Sequence, residues 1–201
     1  TPAPANSIGA TTAPPGVAYA ITYNGSTNPP VDAGVYVVEA ESADWRYSGA
    51  ASATLEIYQA AAQVYIGGLS HVYDGSGKSA TATTMPAGLS VELRYHGGLD
   101  APVNAGTYAV SGTVSGVNYA GAAGASLSIA RADQFITFTP LGDQTAVDSE
   151  ALTASASSGW PVSYSVVSGP AEISGGNFIS FNGAGAVTLL VAQAGSTNWN
   201  A

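Results

Sequence analysis

Pro30-Val31-Asp32-Ala33-Gly34-Val35-Tyr36 returns as Pro102-Val103-Asn104-Ala105-Gly106-Thr107-Tyr108, an offset of 72 positions (30 to 102). Outward from this pair the offset holds without a gap. Thr11-Thr12-Ala13-Pro14-Pro15-Gly16 falls on Thr83-Thr84-Met85-Pro86-Ala87-Gly88, and Tyr23-Asn24-Gly25 falls on Tyr95-His96-Gly97. Tyr47-Ser48-Gly49-Ala50-Ala51 falls on Tyr119-Ala120-Gly121-Ala122-Ala123, and Leu55-Glu56-Ile57 on Leu127-Ser128-Ile129. An unbroken register across so many turn residues marks two copies of one module.

Inside each copy the apolar period is two, the period of a strand. Leu89, Val91, Leu93 and Tyr95 alternate with Ser90, Glu92 and Arg94; Tyr108 with Val110, and Leu127 with Ile129, keep the same spacing. Gly and Pro punctuate the chain at the spacing of about 8 to 12 residues expected of a β-sandwich. The run Asp32-Ala33-Gly34-Val35-Tyr36-Val37-Val38 resembles the corner of immunoglobulin-type domains, where a tyrosine hydroxyl ties a turn back to the backbone. Tyr36 and Tyr108 are then corner residues, and Val38 and Val110 take the place of the core cysteine.

Beyond Asp133 the 72-residue register is lost, but strand-like runs continue. They are Gln134–Phe138, Leu152–Ala156, Val162–Val166, Phe178–Phe181 and a segment ending at Val191, in which Val187 stands where the corner tyrosine stood. Asn198-Trp199-Asn200-Ala201 matches Asn118-Tyr119-Ala120-Gly121. The fold class expected is all-β: tandem small Ig-like β-sandwich modules forming an elongated rod. Residues 1–60 form a module lacking its first strand, 61–132 a complete module, and 133–201 a divergent Ig-like module lacking its last strand. The missing strands have counterparts in Gln63-Val64-Tyr65-Ile66 and Ala125–Ala130. They point either to a piece of a longer array or to a subunit completed by strand donation.

Several motifs carry a family resemblance. Tyr73-Asp74-Gly75-Ser76-Gly77-Lys78, Val103–Tyr108 and Asn118-Tyr119 resemble the opening, middle and end of the MBG and YDG-type repeats of very large bacterial surface proteins. The stretch Ser158–Pro170 is similar to their accompanying Ig-like repeats. The resemblance implies a stalk or filament segment of an extracellular, cell-surface protein, with neighbouring modules or copies of the same protein as partners. It brings no catalytic residues. An alternative from another class is an adhesion module that binds glycan or a host or cell-surface protein through loop aromatics.

Composition narrows the chemistry. With 201 residues, 46% of them apolar, the chain is long enough for two or three small cores. A net charge of −9, with Arg46, Lys78, Arg94 and Arg131 as the only basic residues, gives no clustered cationic surface for nucleic acid or anionic lipid. No apolar run has transmembrane length, so membrane insertion is not expected. Zero cysteines exclude disulfides and thiolate metal sites.

His71 and His96, each expected in a turn, have no partner at metal or triad spacing, and no G-x-S-x-G elbow occurs. The reading is therefore not an enzyme, with no catalytic, cofactor-binding or metal residues assigned and no cofactor. Lys78 could form a Lys–Asn isopeptide only if buried, and its Ser-Gly-Lys-Ser setting reads as a solvated turn. Asp133, with Asp143 or Asp148, is the best calcium candidate but lacks dense ligand spacing. Tyr19, Tyr23, Trp45, Tyr47, Tyr58, Trp160 and Trp199 could stack on sugars. Most recur between repeats, as core residues do, and Trp45, opposite Val117, is the exposed candidate. Tyr73, expected in a turn, should tolerate substitution better than Tyr108.

Overall fold

A computed structural model describes residues 8–146 and 148–201. Among these residues all regular structure is β, and no helix is long and apolar enough to cross a membrane. The first repeat contributes β1 (Tyr19–Tyr23), β2 (Gly34–Ser42) and β3 (Ala50–Ile57). The second contributes β4 (Ala60–Ala61), β5 (Gln63–Gly67), β6 (Ser70–Val72), β7 (Thr81–Met85), β8 (Val91–Tyr95), β9 (Gly106–Val114), β10 (Tyr119–Ala120) and β11 (Ala122–Ala130). The C-terminal part holds β12 (Ile136–Phe138), β13 (Ser149–Ala151), β14 (Ala154–Ala156), β15 (Ser163–Ser168), β16 (Ala171–Ser174), β17 (Phe178–Phe181) and β18 (Thr188–Ala192).

The chain divides into two compact units. One reaches from the N-terminal segment to Gly67 and adds Ala80–Leu99 and Ala109–Ala125; the other takes Gly68–Ser79, Asp100–Tyr108 and Ser126–Ala201. In the first unit β1, β2 and β3 form an antiparallel sheet in that order, with Tyr23 opposite Val38 and Val38 opposite Ala53. Alternation sends Tyr23 and Val38 inward, where both are buried. β8 and β9 repeat this pairing, Tyr95 lying opposite Val110, and both are again buried. β5 and β7 make a second, two-stranded sheet. The sheets meet at Gly112: a Cβ there would lie 3.1 Å from Val91, 3.3 Å from Leu93 and 3.4 Å from Ile66 of β5.

In the second unit β6 runs parallel to the end of β11, pairing Ser70 with Ser128 and His71 with Ile129. Leu127 and Ile129 are buried there, Leu127 completely. The C-terminal part is built from three small sheets, β12–β14, β13–β17–β16 and β15–β18, the last with a bulge between Val166 and Ser168. Its core holds Leu152, Ala156 and the fully buried Ile179. β13 and β16 were not read from the sequence: Ser-Glu-Ala and Ala-Glu-Ile-Ser are too short and mixed to show a period.

The two repeats differ at one aligned stretch. Thr81–Met85 is a strand, whereas its counterpart at 9–13 is not. β7 is a strand because β5 pairs with it, Gln63 opposite Met85 and Gly67 opposite Thr81. Among the described residues β3 is the edge strand of its sheet. Leu55 and Ile57 on β3 are consequently only half-buried.

Candidate functional site

The corner is the most regular polar feature of the repeats. The Tyr36 hydroxyl donates to the Asp32 carbonyl at 2.9 Å, and the Tyr108 hydroxyl donates to the Asn104 carbonyl at 2.8 Å. Two residues on, Val38 and Val110 are buried as the cysteine replacements should be. The hydroxyl bonds lie at the surface and not in the core.

Each corner is held by an asparagine far along the chain. The backbone N–H of Ala33 donates to Asn118 Oδ1 at 2.6 Å, and Asn118 Nδ2 donates to Asp32 Oδ1 at 2.8 Å. The backbone N–H of Ala105 donates to Asn198 Oδ1 at 2.8 Å, and Asn198 Nδ2 donates to Asn104 Oδ1 at 3.0 Å. Each clamp lies within one compact unit. The same residues hold the connecting chain. Ala60 N–H donates to the Asn118 carbonyl at 2.9 Å, Ala62 N–H to the Ala120 carbonyl at 2.8 Å, and Ala132 N–H to the Asn198 carbonyl at 2.9 Å. Tyr119 pairs in parallel with Ala60, and Trp199 bridges in parallel to Ala132. Asn118 and Asn198 were visible in the sequence as a recurrent Asn-aromatic pair, but only the structure gives them a role.

Further contacts fasten the connections. Gln59 Nε2 donates to the carbonyls of Gly116 (3.1 Å) and Val117 (2.9 Å). Asn200 Nδ2 donates to Asp133 Oδ1 at 2.7 Å, and Gln134 Nε2 donates to Gln193 Oε1. Tyr73 is half-buried against Trp199, ring centroids 5.8 Å apart and edge-on, a packing contact that its reading as a turn residue did not anticipate.

The remaining candidates separate cleanly. Trp45 is 93% exposed on the β2–β3 loop. Its loop is fixed by Arg46, whose Nε and Nη2 donate to the two Asp44 carboxylate oxygens at 3.0 and 2.8 Å. The guanidinium and then the Arg46 backbone N–H hold the Asp44 carboxyl below its usual range. Tyr58 and Trp160 are also exposed, Tyr19 and Tyr47 partly so, against the expectation that most of these aromatics are core; Tyr23 is buried and Trp199 half-buried. Tyr58 donates to Glu56 Oε2 at 2.8 Å, and that bond raises its phenol above the usual range.

Lys78 is not solvated as its turn suggested: its side chain is 13% exposed. It pairs with Asp74, not with an amide, and donates to Ser76 Oγ at 3.1 Å. The Lys78 ammonium, then Ser76, pull the Asp74 carboxyl well below the usual carboxylate range. His71 lies in β6, not in a turn, with Nε2 2.7 Å from the Gly68 carbonyl; His96 does sit in a turn, at φ 47°. Asp148 accepts the Thr145 backbone N–H at 2.6 Å. Among the described residues no three His, Asp or Glu side chains converge as metal ligands would.

Comparison with known protein families matches the MBG domain twice, at residues 3–61 and again at 62–133. No curated protein matches the chain.

Proposed function

Because this chain belongs to the MBG domain family over most of its length, we propose that it is a structural stalk or filament segment of a surface protein. Tandem MBG repeats are typical of cell-surface proteins, and this chain carries a repeat module of that kind. One observation carries the mechanical reading: the connections between repeats are hydrogen-bonded structure, not free linker. Ala60, Ala62 and Ala132 each donate a backbone hydrogen bond into the following Asn-aromatic segment, and Asn118 and Asn198 clamp the preceding corners. A connection held in this way bends less than a Gly/Ser spacer, which is the property a stalk needs. Small-angle scattering tests the reading. A compact domain of 201 residues has a radius of gyration of about 17 Å. The stalk reading expects a value well above that, and a value at about 17 Å refutes it.

A second reading, adhesion, is favoured by Trp45. An indole 93% exposed on a loop fixed by a bidentate Asp44–Arg46 pair is presented without a packing role. Sugar rings stack on such faces. A glycan array comparing the chain with its Trp45→Ala variant decides it: signal lost in the variant supports adhesion, and an array without signal removes it.

A further inference from the structure

Tension along the chain enters the middle repeat at Gln59 and leaves it at Arg131. Between these points the entering and leaving strands are paired twice, each time in parallel. β4 runs parallel to β10, with Tyr119 opposite Ala60 and Ala120 opposite Ala61. Ala60 N–H donates to the Asn118 carbonyl at 2.9 Å, and Ala62 N–H to the Ala120 carbonyl at 2.8 Å. β6 runs parallel to the end of β11, Ser70 to Val72 lying against Ser128 to Ala130. One end of that ladder is closed by Ser128 N–H on the Leu69 carbonyl at 2.8 Å, the other by Tyr73 N–H on the Ala130 carbonyl at 2.9 Å.

The direction of pairing decides how these bonds meet a pull. A pull at Gln59 draws β4, and β6 behind it, backward along their own axes. A pull at Arg131 draws β11, and β10 through Gly121, forward along theirs. In a parallel pair the two motions slide one strand past the other, so the bonds lie across the pull and take it together. A hairpin opened at its free end gives up its bonds one at a time. Neither end of the repeat offers such an opening. From Gln59 the load meets the β4–β10 pair first, and from Arg131 it meets the β6–β11 pair first.

Packing closes the inner face of the second ladder to water. Ile129 on β11 is buried, Leu127 just before the pair is completely so, and the Tyr73 ring packs edge-on against Trp199. Where water is kept out, a bond being broken finds no substitute partner, and its loss costs more.

We propose that the middle repeat is a shear clamp, a force-bearing element whose two parallel ladders must slide before either terminal strand comes away. The load it carries follows from the stalk reading, whereas its resistance follows from strand direction alone.

Single-molecule force spectroscopy on the full 201-residue chain tests this, and a sequence without cysteine accepts thiol handles at chosen sites. In one protein Tyr58→Cys and Arg131→Cys, both at exposed positions, pull the repeat along the clamp. In the other, Ser79→Cys and Arg131→Cys pull β6 and β11 apart from the end where Tyr73 meets Ala130. The same ladder is then loaded in two directions, and forced unfolding reads the barrier in each. The first pair of handles is expected to unfold the repeat at a force several-fold above the second, at equal loading rate. Equal forces, or a lower force for the first pair, overturn the clamp. A compact radius of gyration with a high ratio of forces would remove the stalk and keep the clamp; a large radius with equal forces would do the reverse.

Discussion

Replacing Asn118 by Asp and, separately, Asn198 by Asp discriminates between a real clamp and a coincidence of amides. The two asparagines make the same pair of bonds, but Asn118 faces the carboxylate of Asp32 and Asn198 faces the amide of Asn104. In Asn118→Asp the oxygen that accepts from Ala33 survives, while the Nδ2 donor becomes an oxygen set against Asp32. The lost charge-assisted bond is worth about 1.5 to 3 kcal/mol when well shielded, and this one is exposed, so its lower end applies. Repulsion between two carboxylates about 4 Å apart adds about 1 kcal/mol in water. A destabilisation of about 2 to 3 kcal/mol therefore follows for Asn118→Asp. In Asn198→Asp the new carboxylate meets an amide that can rotate to donate, so the loss is under about 1 kcal/mol. Urea unfolding monitored by tyrosine and tryptophan fluorescence measures both, and Asp32→Asn should restore most of what Asn118→Asp removes. Equal losses in the two variants, or no recovery in the Asp32→Asn/Asn118→Asp pair, would refute the clamp.

Leu127→Ala should cost about 2 to 5 kcal/mol because the side chain is completely buried. Leu55→Ala, at the same repeat position but half-buried on an edge strand, should cost less than half as much; calorimetry giving equal shifts would contradict the open edge of β3. Tyr108→Phe removes the surface hydroxyl bond to the Asn104 carbonyl, a loss worth about 1 kcal/mol. Tyr73→Ala removes a ring packed on Trp199 and should cost more, read by thermal melting.

How far the sequence could be read depended on how local each feature is. The corner was legible because Asp32–Tyr36 contains everything it needs: the tyrosine, its backbone acceptor four residues back, and the glycine between them. The alternation that buries Tyr95 and Val110 was legible for the same reason. Strand status at Thr81–Met85 was not local. The stretch at 9–13, the same at three of five positions, is no strand, because a ladder needs a second chain segment and among the described residues none pairs with it as β5 pairs with Thr81–Met85. Lys78 misled because Ser-Gly-Lys-Ser is a turn by composition, whereas its ammonium is drawn in by Asp74 four residues back. The aromatics misled differently. Recurrence in a repeat identifies a shared position but does not fix its burial, since Tyr47 is exposed where its counterpart Tyr119 is half-buried.

The clamp asparagines show why a corner and its partner belong to one device although they lie 85 or more residues apart. When the Tyr36 hydroxyl donates to the Asp32 carbonyl, the turn is tied to itself and the Ala33 N–H bonds outside it, to Asn118. That donor needs an acceptor from elsewhere, and an amide side chain is suited to it because it accepts with one atom and donates with the other. Asn118 uses the second atom on the Asp32 side chain, so one residue reads both the backbone and the side chain of the turn. In the C-terminal part, Gly183 and Val187 stand in the places of the corner acid and tyrosine, so the turn there has neither the hydroxyl tie nor a side chain to receive an amide. In the first repeat the clamp position holds Arg46, which turns back onto Asp44 of its own loop. Asn118 and Asn198 each reach back to the corner of the preceding repeat, so both couple one repeat to the next.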